Sequence, residues 1–243
     1  MTSPLSGQVA VITGASSGIG RAIALALAAE GVSLCLLGRR QQALDLVAEE
    51  ARRAEVVAQG YRVDLTSDGD IRSLVDHLHG DCDSIDLLVH SAGVISIGPL
   101  RSAPIEELDW HYRTNVRAPY ALTQALLPLL NSGRGQIVFI NSSAGLAAGA
   151  NAGQYAASKH ALKAVADSLR AEVNAEGLRV LSVYPGRTAS PLQESVHRME
   201  GRSYHPERLM QPADVAAVVV HSLTLPPSAE VTDIQIRPMI KPT

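Results

Sequence analysis

Cysteine is nearly absent from this 243-residue chain: Cys35 and Cys82 are the only two, and no Cys-x-x-Cys spacing offers zinc or redox chemistry. Cys35 lies in the apolar run 32–37 and reads as a small buried hydrophobe, whereas Cys82, between two aspartates, reads as a loop residue. A basic excess is also missing. Twenty-one Lys and Arg stand against 24 Asp and Glu, a net charge of −3, which argues against nucleic acid or an anionic membrane as a partner. No uninterrupted apolar run is long enough to span a bilayer. The opening Met-Thr-Ser-Pro-Leu-Ser-Gly lacks the charged-then-apolar layout of a signal peptide, so a cytoplasmic location is the expectation. Aromatic residues make up only 3%, leaving Trp110 and Tyr204 isolated and no stacking platform for a flat substrate. Repeats, low-complexity tracts and an obvious linker are lacking too. With 46% hydrophobic residues, the expectation is a single domain over 1–243.

What is present is an alternation of short apolar runs and longer helical patterns. Strands are expected over 8–13, 32–37, 55–63, 85–90, 135–141, 178–184 and 231–236, and helices over 18–30, 40–53, 68–79, 104–131, 153–175 and 212–224. Continuous apolar strands separated by helices predict a Rossmann-type α/β fold, a doubly wound parallel seven-stranded sheet covered on both faces. Pro119 and Pro128 fall inside the 104–131 pattern and predict a kinked or split helix. The segment 186–211 is polar, irregular and placed after a late strand, which reads as a substrate lid.

The turn Thr13-Gly14-Ala15-Ser16-Ser17-Gly18-Ile19-Gly20 follows the first strand and opens the first helix. A helix N-terminus offers free N–H groups and a positive dipole end to a pyrophosphate, and glycines let the backbone approach it. Gly14, Ser16, Ser17, Gly18, Ile19 and Gly20 are therefore candidate cofactor contacts. After the second strand an acid would select a ribose hydroxyl and an arginine a ribose phosphate. The chain has Gly38-Arg39-Arg40 and no acid, which predicts NADP(H) over NAD(H). Asp64, at the end of the third strand, is placed either to bond an adenine amino group or to cap the next helix.

Tyr155 and Lys159 stand four residues apart in a helical pattern, so a phenol and an ammonium share one face. Free groups titrate near ~10 and ~10.4, and a neighbouring cation is expected to lower the phenol. Together with Thr13-Gly14-x-x-x-Gly18-Ile19-Gly20, Asp64, His90-Ser91-Ala92-Gly93, Asn115, Ser142 and Pro185-Gly186, this pair resembles the short-chain dehydrogenase/reductase family over essentially the whole chain. The resemblance implies a carbonyl–alcohol oxidoreductase with Tyr155 as acid/base and Ser142 bonding the substrate oxygen. Ser143 remains the alternative to Ser142. By the same resemblance Lys159 bonds the nicotinamide ribose and lowers the tyrosine, and Asn115 holds a proton-relay water. Ala92, Gly93, Pro185, Gly186 and Thr188 then frame the cofactor, with Ser190 nearby. A homo-oligomer, dimer or tetramer, through 104–131 and 153–175 is implied as well, and a small-molecule substrate.

The chain departs from the family at His90, where an asparagine is common. A buried, hydrogen-bonded histidine bracing the sheet is the expectation, with a titrating active-site role as the alternative. His111 and His160 read as packing or surface residues. The final strand is not glycine-rich, and Glu176 stands where ketoacyl-carrier-protein reductases tend to be basic. That activity is the weaker alternative, alongside a non-catalytic NADP(H)-binding sensor or scaffold.

Overall fold

A computed structural model describes residues 3–240. Seven parallel strands, β1 (Val9–Thr13), β2 (Ser33–Gly38), β3 (Ala58–Arg62), β4 (Leu87–His90), β5 (Gln136–Ile140), β6 (Arg179–Pro185) and β7 (Asp233–Ile236), form one sheet in the order 3-2-1-4-5-6-7. The expected strands thus appear within a few residues of their predicted bounds. Their unbroken apolar runs follow from burial on both faces. Ala10 and Ile12 of β1, Leu34 and Leu36 of β2, and Val138 and Ile140 of β5 enter one core layer. Their immediate neighbours Val11, Cys35, Leu37, Ile137 and Phe139 enter the other, as the two-residue period of a strand requires.

Helices α1 (Gly18–Ala29), α2 (Gln41–Arg52) and α8 (Pro212–Leu223) cover the first face, with Ile23, Leu27, Leu44, Val47, Val215 and Val219 pointing inward. Helices α3 (Asp68–Asp81), α5 (Ala118–Leu126) and α6 (Gly153–Val173) cover the second, through Ile71, Leu74, Leu122, Leu126, Leu162 and Ala166. Cys82 lies just past α3 with extended backbone, as a loop residue, and its thiol donates to the Leu78 carbonyl.

Two segments add detail to the sequence expectation. The 104–131 pattern is broken as its prolines predict, into α4 (Ile105–Tyr112), a π-helical turn (Arg113–Arg117), α5 and a 3₁₀ turn (Leu127–Leu129). In a continuous α-helix the Pro119 ring would clash with the carbonyl four residues earlier, that of Asn115. The wider turn, in which Ala118 N–H reaches back to the Arg113 carbonyl, relieves that clash. The 186–211 segment is more regular than its composition indicates. It holds α7 (Pro191–Met199), capped by the Ser190 hydroxyl accepting from Gln193 N–H, with proline in the first turn, where a missing N–H is harmless. The segment closes on itself where Ala189 N–H donates to the Met210 carbonyl at 2.8 Å.

Candidate active site

The strand order reverses between β1 and β4, and the crevice beyond their carboxyl ends is where open α/β sheets bind ligands. Thr13, buried at the end of β1, closes the floor of that crevice. Its hydroxyl accepts from Ser91 N–H at 2.9 Å and Ala92 N–H at 3.0 Å, tying the ends of the two strands together. Gly14 next to it has φ +66°, and a Cβ there would lie 2.9 Å from the Ala92 backbone. A Cβ on Gly20 would stand 2.5 Å from the Gly14 carbonyl oxygen. No side chain other than hydrogen fits either position. Ser16, Ser17 and Ile19 complete the turn, and Ser17 begins α1 without making a side-chain cap. There is also no acidic residue in the first turn of α1, so its N-terminal N–H groups face the crevice with no internal anion to neutralise them. This cradle fits the pyrophosphate of a dinucleotide cofactor.

Arg39 and Arg40 are both exposed at the end of β2. Arg40 is the one that reaches the turn, where Nη2 lies 3.4 Å from the Ser16 hydroxyl. Asp64 folds locally: Oδ1 accepts from Thr66 N–H at 2.9 Å and Thr66 Oγ1 at 2.8 Å. Capping of α3 falls to Ser67, whose hydroxyl accepts from Asp70 N–H. The other carboxylate oxygen of Asp64 has no partner among the described residues.

Deeper in the cleft, α6 carries Tyr155 and Lys159 on one face as the spacing predicts. Lys159 is 4% exposed and donates to the Ile140 carbonyl at 3.1 Å. Burial pulls its ammonium down to about 8. Tyr155 is half-buried and lies beside Ser142. Ser142 is itself fixed by capping the 3₁₀ turn Ser143–Gly145, accepting from Ala144 N–H at 3.2 Å. Ser143, the alternative, is exposed and makes no side-chain hydrogen bond among the described residues. One expectation is overturned. The Tyr155 phenol sits above its ordinary value, not below, because burial raises it more than the neighbouring Ser142 hydroxyl lowers it. The ammonium lies 6.0 Å from the ring centroid and spends its hydrogen bond on a carbonyl, so its charge does not outweigh burial at the phenol.

Asn115, in the π-helical turn, is 1% exposed. Its Oδ1 accepts from Val94 N–H at 2.9 Å, and Nδ2 donates to the Val94 carbonyl and the Ser158 hydroxyl, both at 3.0 Å. Ser158 in turn donates to the Tyr155 carbonyl at 2.7 Å. Gly93 stands against this group: a Cβ there would be 3.4 Å from Asn115 Oδ1 and 3.8 Å from Lys159 Nζ. On the far wall Pro185 ends β6, Gly186 N–H donates to the Ile236 carbonyl at 2.8 Å, and buried Thr188 donates to the Gly186 carbonyl at 3.1 Å. Ser190 then approaches Gly18, where an added Cβ would meet its own at 3.2 Å. The predicted residues of the glycine turn, of α6 and of the 186–211 entry therefore border one cleft.

His90 meets the structural expectation. It is buried, stacks on Phe139 at 4.8 Å and places Nε2 2.8 Å from the Thr123 hydroxyl, with burial pushing it down to about 3. Sequence reasoning missed Asn141, which donates to the Lys159 carbonyl at 3.1 Å, and Ser158; their only signal is adjacency to Ser142 and Lys159.

The profile of the short chain dehydrogenases matches residues 8–201. The chain belongs to the short-chain dehydrogenase family. Among its relatives is an uncharacterized oxidoreductase of Staphylococcus epidermidis, 32% identical over 96% of this chain and 97% of that one. Glycine betaine reductase ATRR of Emericella nidulans is 33% identical over 98% of this chain, which spans only 19% of that protein's length. A solved short chain dehydrogenase of Shigella flexneri complexed with NADP superposes with a TM-score of 0.88, at 30% identity, covering 97% of this chain and 99% of that one. This short-chain dehydrogenase has, among its described residues, no helix long and apolar enough to cross a membrane.

Proposed function

We propose that this short-chain dehydrogenase interconverts a carbonyl and a primary or secondary alcohol using NADP(H), with Tyr155 as the general acid/base. The observation that carries the reading is the placement of Tyr155 beside Ser142 in the same cleft as buried Lys159 and the uncapped N-terminus of α1. The cradle of Gly14, Ser16, Ser17, Gly18, Ile19 and Gly20 would hold the pyrophosphate, Arg39 and Arg40 the ribose phosphate, and Asp64 the adenine. Ala92, Gly93, Tyr155, Lys159, Pro185, Gly186 and Thr188 would border the nicotinamide half. Bound there, the cofactor supplies hydride chemistry. The chain's own part is electrostatic and protonic. Ser142 and Tyr155 aim two hydroxyls at the oxygen on which charge grows during reduction. Tyr155, held above its ordinary value, enters the step protonated at neutral pH and gives up its proton there. Lys159 compensates the phenolate left behind, and Asn115 anchors the relay that restores the proton.

The NADP(H) preference is supported by the Arg40–Ser16 approach and by the NADP in the Shigella flexneri relative. The same reading takes the chain as one catalytic domain with 186–211 covering the carbonyl site. It also includes a homodimer or homotetramer in solution, which Trp110, Tyr112 and Tyr120, exposed along α4 and α5, support.

The test is NADPH oxidation against a broad panel of ketones and aldehydes. Tyr155→Phe is expected to lower kcat by about 10²–10⁴-fold while changing the NADPH dissociation constant less than about twofold. A Phe variant that keeps its turnover sinks the role of Tyr155. A parent that binds NADPH yet turns over no carbonyl points instead to a nucleotide-binding sensor. Equal or tighter binding of NADH overturns the cofactor preference.

A further inference from the structure

A second polar cluster lies behind Tyr155, built from buried Ser96, His111 and Gln154 and half-buried Glu107, and the proposed proton chemistry does not use it. His111 is 0% exposed and meets the Tyr155 ring edge-on, with centroids 5.9 Å apart. Its Nε2 accepts from Ser96 N–H at 2.9 Å, and its Nδ1 lies 2.6 Å from the Glu107 carbonyl. A backbone N–H can only donate and a carbonyl can only accept. The ring is therefore neutral, with its proton on Nδ1. Glu107 Oε2 accepts from the Ser96 hydroxyl at 2.7 Å and from Gln154 Nε2 at 3.2 Å. Gln154 is the residue immediately before Tyr155, and its own Oε1 is buried without a partner among the described residues.

The spacing gives this cluster a purpose. Asn115 receives the N–H of Val94, and His111, four residues earlier, receives the N–H of Ser96, two residues later. Two residues of extended chain cover about 6.6 Å, and four residues of helix cover about 6 Å. The chain after Gly93 is thus laid along the helix face on two rungs of matching pitch, and both rungs also brace α6: Asn115 through Ser158, His111 through the Tyr155 ring.

We propose that His111 is a positioning residue for Tyr155, the second rung of the ladder that begins at Asn115, and that it works only as the neutral Nδ1–H ring. The inference rests on the acid/base role of Tyr155. Protonation would turn Nε2 from an acceptor into a donor facing the Ser96 N–H, and the rung would break. The titratable groups facing the ring are Glu107 on its own helix and Tyr155 on α6; Ser96 and Gln154 do not titrate. Burial holds the imidazole below its ordinary 6.5. In that window the unfolded histidine holds a proton that the folded one does not, so stability falls as pH drops from about 6.5 through the folded value.

Two variants and two kinds of readout test this. His111→Phe keeps a ring against Tyr155 but removes the acceptor, and is expected to lower kcat about tenfold with NADPH binding within twofold of the parent. His111→Gln restores an acceptor that cannot be protonated. It is expected to recover most of kcat and to flatten the loss of kcat that the parent undergoes between pH 6.5 and 5. Independently of turnover, ring-nitrogen NMR of the parent is expected to find His111 protonated at Nδ1, and the drop in Tm between pH 7.5 and 5.5 is expected to shrink in His111→Gln. A parent without turnover on any carbonyl would remove the acid/base reading, yet the NMR and melting measurements still decide the rung. An Nε2–H tautomer, an unchanged melting difference, or a folded Phe variant with the parent's kcat and pH profile overturns the proposal. If the Phe variant does not fold, the Gln variant and the NMR spectrum settle the role of His111.

Discussion

Among the described residues each end of the sheet buries one charged side chain, and the two are treated in opposite ways. At the amino end Asp86 is 2% exposed and fully engaged: Oδ2 accepts from Val9 N–H at 2.9 Å, while Oδ1 accepts from Asn131 Nδ2 at 3.1 Å and pairs with Arg134 at 2.9 Å. At the carboxyl end Lys159 is 4% exposed and meets one neutral carbonyl and, among the described residues, no carboxylate. Burying a charge is expensive unless it is paired. Asp86 therefore joins β1, β4 and the lead-in to β5 at little net penalty, whereas Lys159 carries its penalty openly. A chain that could have paired this lysine leaves it unpaired where the proposed proton chemistry occurs, and that asymmetry separates the scaffold from the site.

Replacing the unpaired lysine breaks the functional half of the comparison. Lys159→Met is expected to lower kcat by about 10²–10³-fold, because nothing then offsets the Tyr155 phenolate. It is also expected to stabilise the protein. A drop from 10.5 to about 8 corresponds to roughly 3 kcal/mol of buried-charge penalty at pH 7, and losing the Ile140 partner returns about 1 kcal/mol of it. Between pH 8 and 10.5 the unfolded lysine holds a proton that the folded one has released, so parental stability rises with pH across that window. For the same reason kcat/KM for reduction is expected to fall above about pH 8 in the parent. Thermal melts of the two proteins at pH 7 decide it: a destabilised Met variant contradicts the unpaired-charge account.

The scaffold end responds the other way. Asp86→Ala removes the acceptor shared by Val9, Asn131 and Arg134 and touches nothing in the cleft. Stability is expected to fall by about 3 kcal/mol, roughly 6–12 °C in Tm, with kcat within about twofold of the parent for the protein that remains folded. If kcat falls as steeply as stability, the two ends of the sheet are not separable.

How much of this could be read beforehand divides along the same line. The sheet was legible because its strands are buried on both faces, so Val9 to Thr13 or Gln136 to Ile140 need no partner information to read as strands. The glycine turn and the Tyr155–Lys159 pair could be named as candidates because each is a short local pattern, and Ser142 entered through the family resemblance. Pro119 announced the break in the long helix. What failed was whatever depends on solvent exclusion or on a distant backbone. Four-residue spacing puts Lys159 near Tyr155 but does not say that burial lifts the phenol, nor that the ammonium turns to Ile140. The polarity of 186–211 masked the Ser190-Pro191 start signal of α7. His111 could not be connected to Tyr155 without knowing that the chain after Gly93 runs along its helix.

The smallest expected effect sharpens the contrast by moving to a charge that is not buried at all. Arg40 is exposed and approaches the cofactor cradle only through Ser16, at 3.4 Å. A solvated arginine contributes little to the fold, because exposed charges are screened and conformationally free. Its contribution to a bound ribose phosphate is larger, because a guanidinium–phosphate contact is charge-assisted on both sides. Arg40→Ala is therefore expected to leave Tm within about a degree of the parent while weakening NADPH about tenfold and NADH hardly at all. The ratio of the two dissociation constants isolates the phosphate from every other cofactor contact. Equal weakening of both nucleotides would mean that Arg40 shapes the turn through Ser16 instead of reading the phosphate, and would hand that role to Arg39, whose single substitution would then change the ratio alone.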